Sequence, residues 1–250
     1  MWHRSRKIRV PRQTPRNSGP VHPAFSSIMH SFEKHRGNQM KKILTLSLIL
    51  LGTTLLWWQP AQAERYVEGV HYHRITPAQP TTHGKKIEVV ELFWYGCPHC
   101  HHFEPYLAEW LPKLKDDVVF EHMPAIFSTR WELLARAFYA AEILGIQEKI
   151  HRPLFIAIHE EKRRITRKEH VVAFFEKFGV SEEAFNKAYN SFAVDSKVRF
   201  ARKMSRNYQI SGTPALIIDG KYRIEPGKNV GFEDMLKIAD YLIDKERHNN

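Results

Sequence analysis

The sequence predicts an α/β fold with a helical insert, and three features carry that prediction. A buried strand over 87–95 is followed at once by a helix that begins at Cys97. Helix patterns then succeed one another from Thr129 to about residue 210. A short hairpin and an amphipathic helix end the chain. This order describes a layer of strands and helices into which a run of helices is inserted.

The segment over 40–63 has the pattern of a secretory signal peptide. It opens with Met-Lys-Lys, continues as a mostly apolar run of 16 residues over 43–58 and closes with Ala61-Gln-Ala63. We expect cleavage after Ala63 and export to the periplasm. A retained membrane anchor is the alternative, but a span needs about 20 apolar residues, and this run is shorter.

Residues 1–39 come before the point at which a signal peptide normally begins. They are rich in Arg and Pro and show neither a helical nor a strand period. We interpret them as a disordered extension from an upstream start, with translation beginning at Met40 or Met29. A functional basic arm is the alternative, and the sequence offers no second feature in its favour.

The charge distribution argues against a nucleic-acid-binding protein. The chain of 250 residues has a formal net charge of +11, but residues 1–63 contain ten Lys and Arg and a single acid, Glu33. Residues 64–250, with 28 basic and 26 acidic side chains, are close to neutral. We therefore expect no nucleic-acid partner. We expect residues 64–250 to form one domain, with the helical insertion at about 125–210.

The first half of this domain is predicted as a loop, a strand and a helix. Two prolines and a glycine mark 76–86 as a loop. Residues 87–95 are mostly β-branched and aromatic, as expected of a buried strand, and Glu91 is the exception. Pro98 suits the first turn of a helix over 97–114, because no backbone N–H is needed there.

Turn and capping residues divide the rest of the chain. Capping-box patterns at 129–132 and 166–169 indicate two helix starts. Gly145 and Gly179 are suited to end these helices, and Ser181 to begin another. Asp219-Gly220 is a hairpin signal, and the remaining strands are predicted at 118–123, 215–218 and 221–224.

The two cysteines of the chain, Cys97 and Cys100, define the predicted active site. Their spacing on a helix places both sulfurs on one face. Cys97 lies at the helix N-terminus, where unpaired N–H groups and the helix dipole stabilise a thiolate and lower its pKa. His99 adds a donor and, when protonated, a positive charge. Cys100 lies one turn further in and should be more buried.

The predicted thiol–disulfide exchange favours donation of the disulfide over its formation in this protein. A stabilised thiolate is a good leaving group, so a disulfide that releases Cys97 is easily reduced, and the pair tends to give its disulfide away.

Three other interpretations of the same residues are weaker. Cys97-x-x-Cys100-His101 also matches the attachment pattern of c-type haem, but that pattern is short. A zinc site with His99, His101 and His102 is disfavoured because consecutive helical positions point apart. Surface histidines explain His101 and His102 better. A purely structural pair explains neither Pro98 nor the place at a helix start, and we expect neither metal nor cofactor.

Four segments resemble the DsbA family of periplasmic thiol:disulfide oxidoreductases, and the similarity extends from about residue 66 to the end. They are Glu-Leu-Phe-Trp-Tyr-Gly-Cys-Pro-His-Cys-His-His-Phe-Glu-Pro at 91–105, Tyr-Asn-Ser-Phe at 189–192, Gly-Thr-Pro at 212–214 and Asp-Gly-Lys-Tyr-Arg at 219–223. The resemblance implies a thioredoxin-like fold with an inserted helical domain. It also implies that Pro214 is cis and faces the cysteines, with the Thr213 backbone turned toward an extended substrate.

Two acids have predicted roles near the cysteines, and the resemblance implies the first of them. Glu91 would lie near Cys100 with a raised pKa and assist proton transfer there. Glu104, one turn past Cys100, is a further candidate for tuning the pKa of Cys97. One residue departs from the family pattern. Strongly oxidising members usually have Val before the cis proline, whereas this chain has Thr213, and threonine at that position is commoner in related isomerases and reductases.

We therefore expect an exported dithiol oxidase that donates its disulfide to reduced or unfolded secreted proteins. A membrane oxidase resembling DsbB would reoxidise it, and we expect a monomer. A periplasmic reductase or isomerase is the enzymatic alternative. A chaperone-like peptide-binding protein is the non-enzymatic one.

Overall fold

The computed structural model describes residues 65–249. The expected extension over 1–39, the signal peptide over 40–63 and its cleavage site therefore lie outside the described residues. Among the helices of 65–249, none combines the length and the apolar character needed to cross a membrane.

A mixed five-stranded sheet organises the described part of the chain. The strand over Ile87–Phe93 pairs in parallel with the strand that follows it and antiparallel with a strand from the end of the chain, so that both halves of the sequence meet there. The spatial order is β1-β5-β4-β2-β3. The strands are β1 (His73–Arg74), β2 (Ile87–Phe93), β3 (Val118–Pro124), β4 (Ala215–Ile218) and β5 (Tyr222–Ile224).

Seven α-helices occur within 65–249, and five of them separate β3 from β4. The helical run therefore occupies 129–207, inside the predicted 125–210. The helices are α1 (Pro98–Trp110, continued by a 3₁₀ turn over Leu111–Lys113), α2 (Thr129–Ile143), α3 (Gln147–His159), α4 (Lys168–Glu176), α5 (Glu182–Tyr189), α6 (Phe192–Asn207) and α7 (Phe232–Asn249).

Burial of β2 on both faces fixes the position of the helix that follows it. All seven of its residues are buried. Successive side chains of a strand point to opposite faces, and Ile87 and Val89 pack with α1 and α7 while Val90 and Leu92 join the core beneath the inserted helices. The strand thus separates two hydrophobic cores, and α1 follows the end of a strand that is packed on both faces.

Two predicted capping boxes do not form. The N-cap residues of α2 and α4 are Ser128 and Arg167, and neither side chain caps its helix. Glu132, the expected partner of Thr129, instead makes ion pairs with arginines of α2 and α6. These pairs, one within α2 and one between α2 and α6, replace the local bond that the pattern predicts.

The other turn signals are confirmed. Gly145 and Gly179 follow α2 and α4 with φ of +69° and +82°, the left-handed conformation that suits a helix end. Asp219 and Gly220 both have positive φ, 51° and 63°, and the N–H of Lys221 donates to the carbonyl of Ile218 at 2.9 Å. The hairpin is therefore of the type I′ geometry.

Ser181 caps α5 with its side chain, since its Oγ accepts the N–H of Ala184 at 3.2 Å. We expect Ser181→Ala to lower the free energy of unfolding by about 1 kcal/mol. Thr166→Ala is the matched control, because Thr166 stands before α4 without capping it, and should change stability by less than about 0.5 kcal/mol. Urea unfolding of both variants measures this; equal losses would contradict the assignment of the caps.

Candidate active site

Cys97 stands at the junction between β2 and α1. It is the N-cap residue of α1, with φ −92° and ψ 116°, and Pro98 occupies the first turn. Its Sγ accepts the backbone N–H of Cys100 at 3.4 Å. The sulfur therefore takes the place of a capping oxygen and receives one of the N–H groups that a helix start leaves without a partner.

The two sulfurs have opposite electrostatic environments. A hydrogen bond from the Cys100 thiol, with further bonds from the Thr213 side chain and the N–H groups of Cys100 and His99, lowers the pKa of Cys97 to about 5 against the opposing effect of burial. Cys100 is wholly buried. Burial, followed by the neighbouring Cys97 and Glu91, raises its pKa well above the ordinary value. Neither cysteine is in a disulfide bond in this structure.

The loop before β4 faces this pair. The Thr213–Pro214 peptide bond is cis, and the Cys97 thiol lies 3.3 Å from the Thr213 carbonyl oxygen, to which it can donate. Since β4 lies beside β2 in the sheet, the chain immediately before β4 arrives next to the chain that follows β2. The sheet thus brings Cys97 and Thr213 together.

Glu225 orders the same loop, and no sequence pattern indicated this role. Its Oε1 accepts the N–H groups of Ser211 and Gly212 at 2.7 and 3.2 Å. A groove of about 480 Å³ runs beside the loop and is lined by Thr213, His99 and Phe232, among others.

His99 interacts with Cys97 through its backbone N–H group. Its N–H contributes to the lowered pKa of Cys97, while its side chain is exposed and lies with its ring 6.4 Å from that of Phe232. Stabilisation of the thiolate by the imidazole stays a prediction.

Glu91 is completely buried in β2 and has a partner that the sequence did not indicate. Its Oε2 lies 2.7 Å from Nδ1 of His122 on β3. Burial raises the pKa of Glu91 to about 7, and His122 opposes that rise. Burial also acts on His122, but the bond to Glu91 outweighs it and raises the pKa of the histidine.

Glu104 lies in the same buried region, where it contacts His151 of α3 with 3.3 Å between Oε1 and Nε2. Burial would raise the pKa of Glu104, but His151 and the neighbouring histidines outweigh it and lower the pKa. Burial lowers the pKa of His151. The influence of Glu104 on Cys97 stays a prediction.

One of the two histidines expected at the surface is not there. His102 is exposed, but His101 is half-buried. Its ring stacks on that of His159 with 5.2 Å between centroids and an angle of 11°, and its Nε2 lies 3.2 Å from Glu160. The inserted helix α3 covers this face of α1, which the local pattern could not reveal.

Two thiols thus lie at a helix N-terminus, next to a loop with a cis proline, at the ends of neighbouring strands of a mixed sheet. This arrangement defines the thiol:disulfide oxidoreductases of the thioredoxin fold, and this protein is one of them. A family model described as a DSBA-like thioredoxin domain matches residues 88–242. The chain belongs to this family.

Curated relatives and solved structures agree with the assignment. The thiol:disulfide interchange protein DsbA of Pseudomonas aeruginosa is 38% identical over 208 residues, which cover 83% of this chain and 98% of the relative. That of Azotobacter vinelandii is 41% identical over 201 residues, or 80% and 92% of the two chains. The crystal structure of Pseudomonas aeruginosa DsbA has a TM-score of 0.71 and 41% identity, and covers 75% of this chain and 97% of its own. The oxidoreductase DsbA from Xylella fastidiosa has a TM-score of 0.69 and 34% identity, with coverage of 74% and 100%.

Proposed function

We propose that this protein donates the Cys97–Cys100 disulfide to reduced, newly exported proteins. The opposite pKa shifts of the two thiols carry the proposal: about 5 at Cys97 and well above the ordinary value at Cys100. A thiolate that is stabilised in the reduced protein leaves readily, so the disulfide that releases it accepts electrons easily.

The exchange proceeds in two steps. A substrate thiolate attacks Sγ of Cys97, the Cys97–Cys100 bond breaks, and the sulfur of Cys100 leaves and takes up a proton. A second substrate thiolate then attacks the substrate sulfur of this mixed disulfide and expels the Cys97 thiolate. The substrate loses two electrons and gains a disulfide, and the protein gains both electrons as a dithiol.

The groove beside Thr213 and Pro214 supports binding of an extended peptide. The backbone of Thr213, just before β4, would offer an extended peptide the hydrogen bonds of a strand, a common mode of peptide recognition. Such recognition does not depend on substrate sequence, which suits an oxidase that acts on many unfolded chains.

The proposed place of action is the periplasm, with the protein acting as a monomer. The signal-peptide pattern over 40–63 supports export, and an oxidising compartment allows a protein with a single reactive cysteine pair to work as an oxidase. A membrane oxidase resembling DsbB would remove the two electrons gained in each cycle.

The reduction potential of the Cys97–Cys100 pair tests the direction of transfer. Equilibration of the protein with glutathione buffers should give a value near that of known DsbA, about −120 mV, rather than that of thioredoxin, about −270 mV. A value near the second would instead favour the reductase or isomerase that Thr213 suggests.

A further inference from the structure

Three polar side chains outside the dithiol pair converge on one point between α1, β3 and α3. They are Glu104, His122 and His151, and one potential ligand atom from each lies within 4.8 Å of the others. Their side chains are only 12%, 18% and 7% exposed. Two imidazoles and a carboxylate form a ligand set that suits zinc, whereas calcium and magnesium prefer oxygen ligands.

Hydrogen bonds orient both imidazoles. Nδ1 of His122 is bonded to Glu91 at 2.7 Å, and Nδ1 of His151 to the Tyr95 hydroxyl at 2.8 Å. Each ring therefore keeps Nε2 as its remaining nitrogen. A bond from the second ring nitrogen to a carboxylate or another polar group is the usual support of a histidine that binds a metal.

Two of the buried atoms lack a hydrogen bond. Nε2 of His151 and Oε1 of Glu104 have no hydrogen-bond partner among the described residues, although they lie 3.3 Å apart. A buried polar atom without a partner is costly. A tetrahedral zinc ion with ligands at about 2.0–2.1 Å separates those ligands by roughly 3.3 Å, so this pair already has the spacing of two zinc ligands.

An open path leads to the cluster. A cavity of about 860 Å³ is lined by all three residues, and Glu121, Glu142 and Glu148 contribute carboxylates to its wall. Arg152 and Lys197 line the same wall, and Lys197 pairs with Glu142 at 2.8 Å, so the wall carries charges of both signs. The cavity also leaves room for a water molecule or another small ligand beside the three protein groups, as in zinc sites with an open fourth position.

We propose that Glu104, His122 and His151 bind one zinc ion, with both histidines coordinating through Nε2 and the fourth position open to the cavity. Glu91 and Tyr95 hold the two rings in place. The site is independent of the direction in which the dithiol exchanges electrons.

Titration calorimetry with zinc chloride tests the proposal on the purified protein with Cys97 and Cys100 oxidised, so that the thiols cannot act as ligands. We expect one zinc ion per chain. Glu104→Gln and His151→Gln each alter a proposed ligand and should weaken zinc binding at least about tenfold. Tyr95→Phe removes only the hydroxyl that orients His151, and it should also weaken zinc binding, by about tenfold or more. His102→Gln, which alters an exposed histidine, should bind as the unchanged protein does.

A zinc-soaked crystal of the unchanged protein gives a second measurement that needs no variant. Anomalous scattering should place the ion between Glu104 and the two histidines. The proposal is overturned if the oxidised protein binds no zinc, if binding survives both Glu104→Gln and His151→Gln, or if the ion lies elsewhere. Circular dichroism of the variants establishes that any weaker binding comes from folded protein.

Discussion

Replacing Cys97 with serine is expected to abolish disulfide donation and leave a reduced protein substrate oxidising at its background rate. Sγ of Cys97 is the sulfur that the Cys100 thiol, Thr213 and the N–H groups at the helix start stabilise as a thiolate. Cys100 is completely buried and its thiol resists ionisation, so it cannot take over the exchange. The formation of disulfides in reduced, denatured ribonuclease, followed by recovery of its activity, measures the loss.

Cys100→Ser is the matched variant, since it also removes the internal disulfide but keeps the reactive sulfur. We expect it to accumulate a mixed disulfide with an oxidised substrate, because no second thiol is present to release it, whereas Cys97→Ser should accumulate none. Cells that express Cys97→Ser should lose the protein's role in disulfide formation. Retention of that role would favour the chaperone-like alternative, in which the groove matters more than the sulfurs.

The reduced protein is expected to hold Cys97 as a thiolate down to about pH 5, the value to which its pKa is lowered from an ordinary 9.0. Thiolate absorbance at 240 nm should therefore fall with a midpoint near pH 5, and alkylation by iodoacetamide should slow over the same range. Thr213→Val removes one hydrogen bond to the sulfur and should raise the midpoint by about 0.4–1 unit. A midpoint above pH 8 in the unchanged protein would contradict this assignment.

The same shift makes the stability of the reduced protein depend on pH. The folded-state pKa of Cys97 lies below its unfolded value, so between about 5 and 9 the unfolded chain binds the additional proton. The contribution of Cys97 to the free energy of unfolding is complete above its unfolded-state pKa, decreases as the pH falls and is lost below about pH 5. Denaturant unfolding of the reduced protein and of Cys97→Ser should therefore diverge as the pH rises from 5 to 8.

Local signals made the thiol centre predictable. A buried strand, a glycine, a cysteine and a proline in succession indicate a helix start with a sulfur at its N-cap, and the structure has that arrangement. Gly145, Gly179 and the Asp219-Gly220 turn are likewise local, because a positive φ is a property of single residues. Such features need no knowledge of the rest of the fold.

Partners that come from distant parts of the chain were not predictable. Glu91 meets His122 across 31 residues, and Tyr95 meets His151 across 56. An isolated histidine in a strand or a helix has no pattern that marks it as the partner of a buried acid. The capping box at 129–132 failed for a related reason, since Glu132 has arginines of two helices within reach and does not return to the helix start.

Cys97 and Thr213 are 116 residues apart along the chain. This separation determines the order in which the hydrogen bonds to the Cys97 sulfur form as the chain folds. The bond from the Cys100 N–H is local and can form as soon as α1 exists. The Thr213 contribution can form only after the five inserted helices have been made and β4 has joined β2. A chain that enters its folding compartment N-terminus first thus acquires a partly activated sulfur early and the complete one only when this long loop closes, a slow step for contacts so far apart.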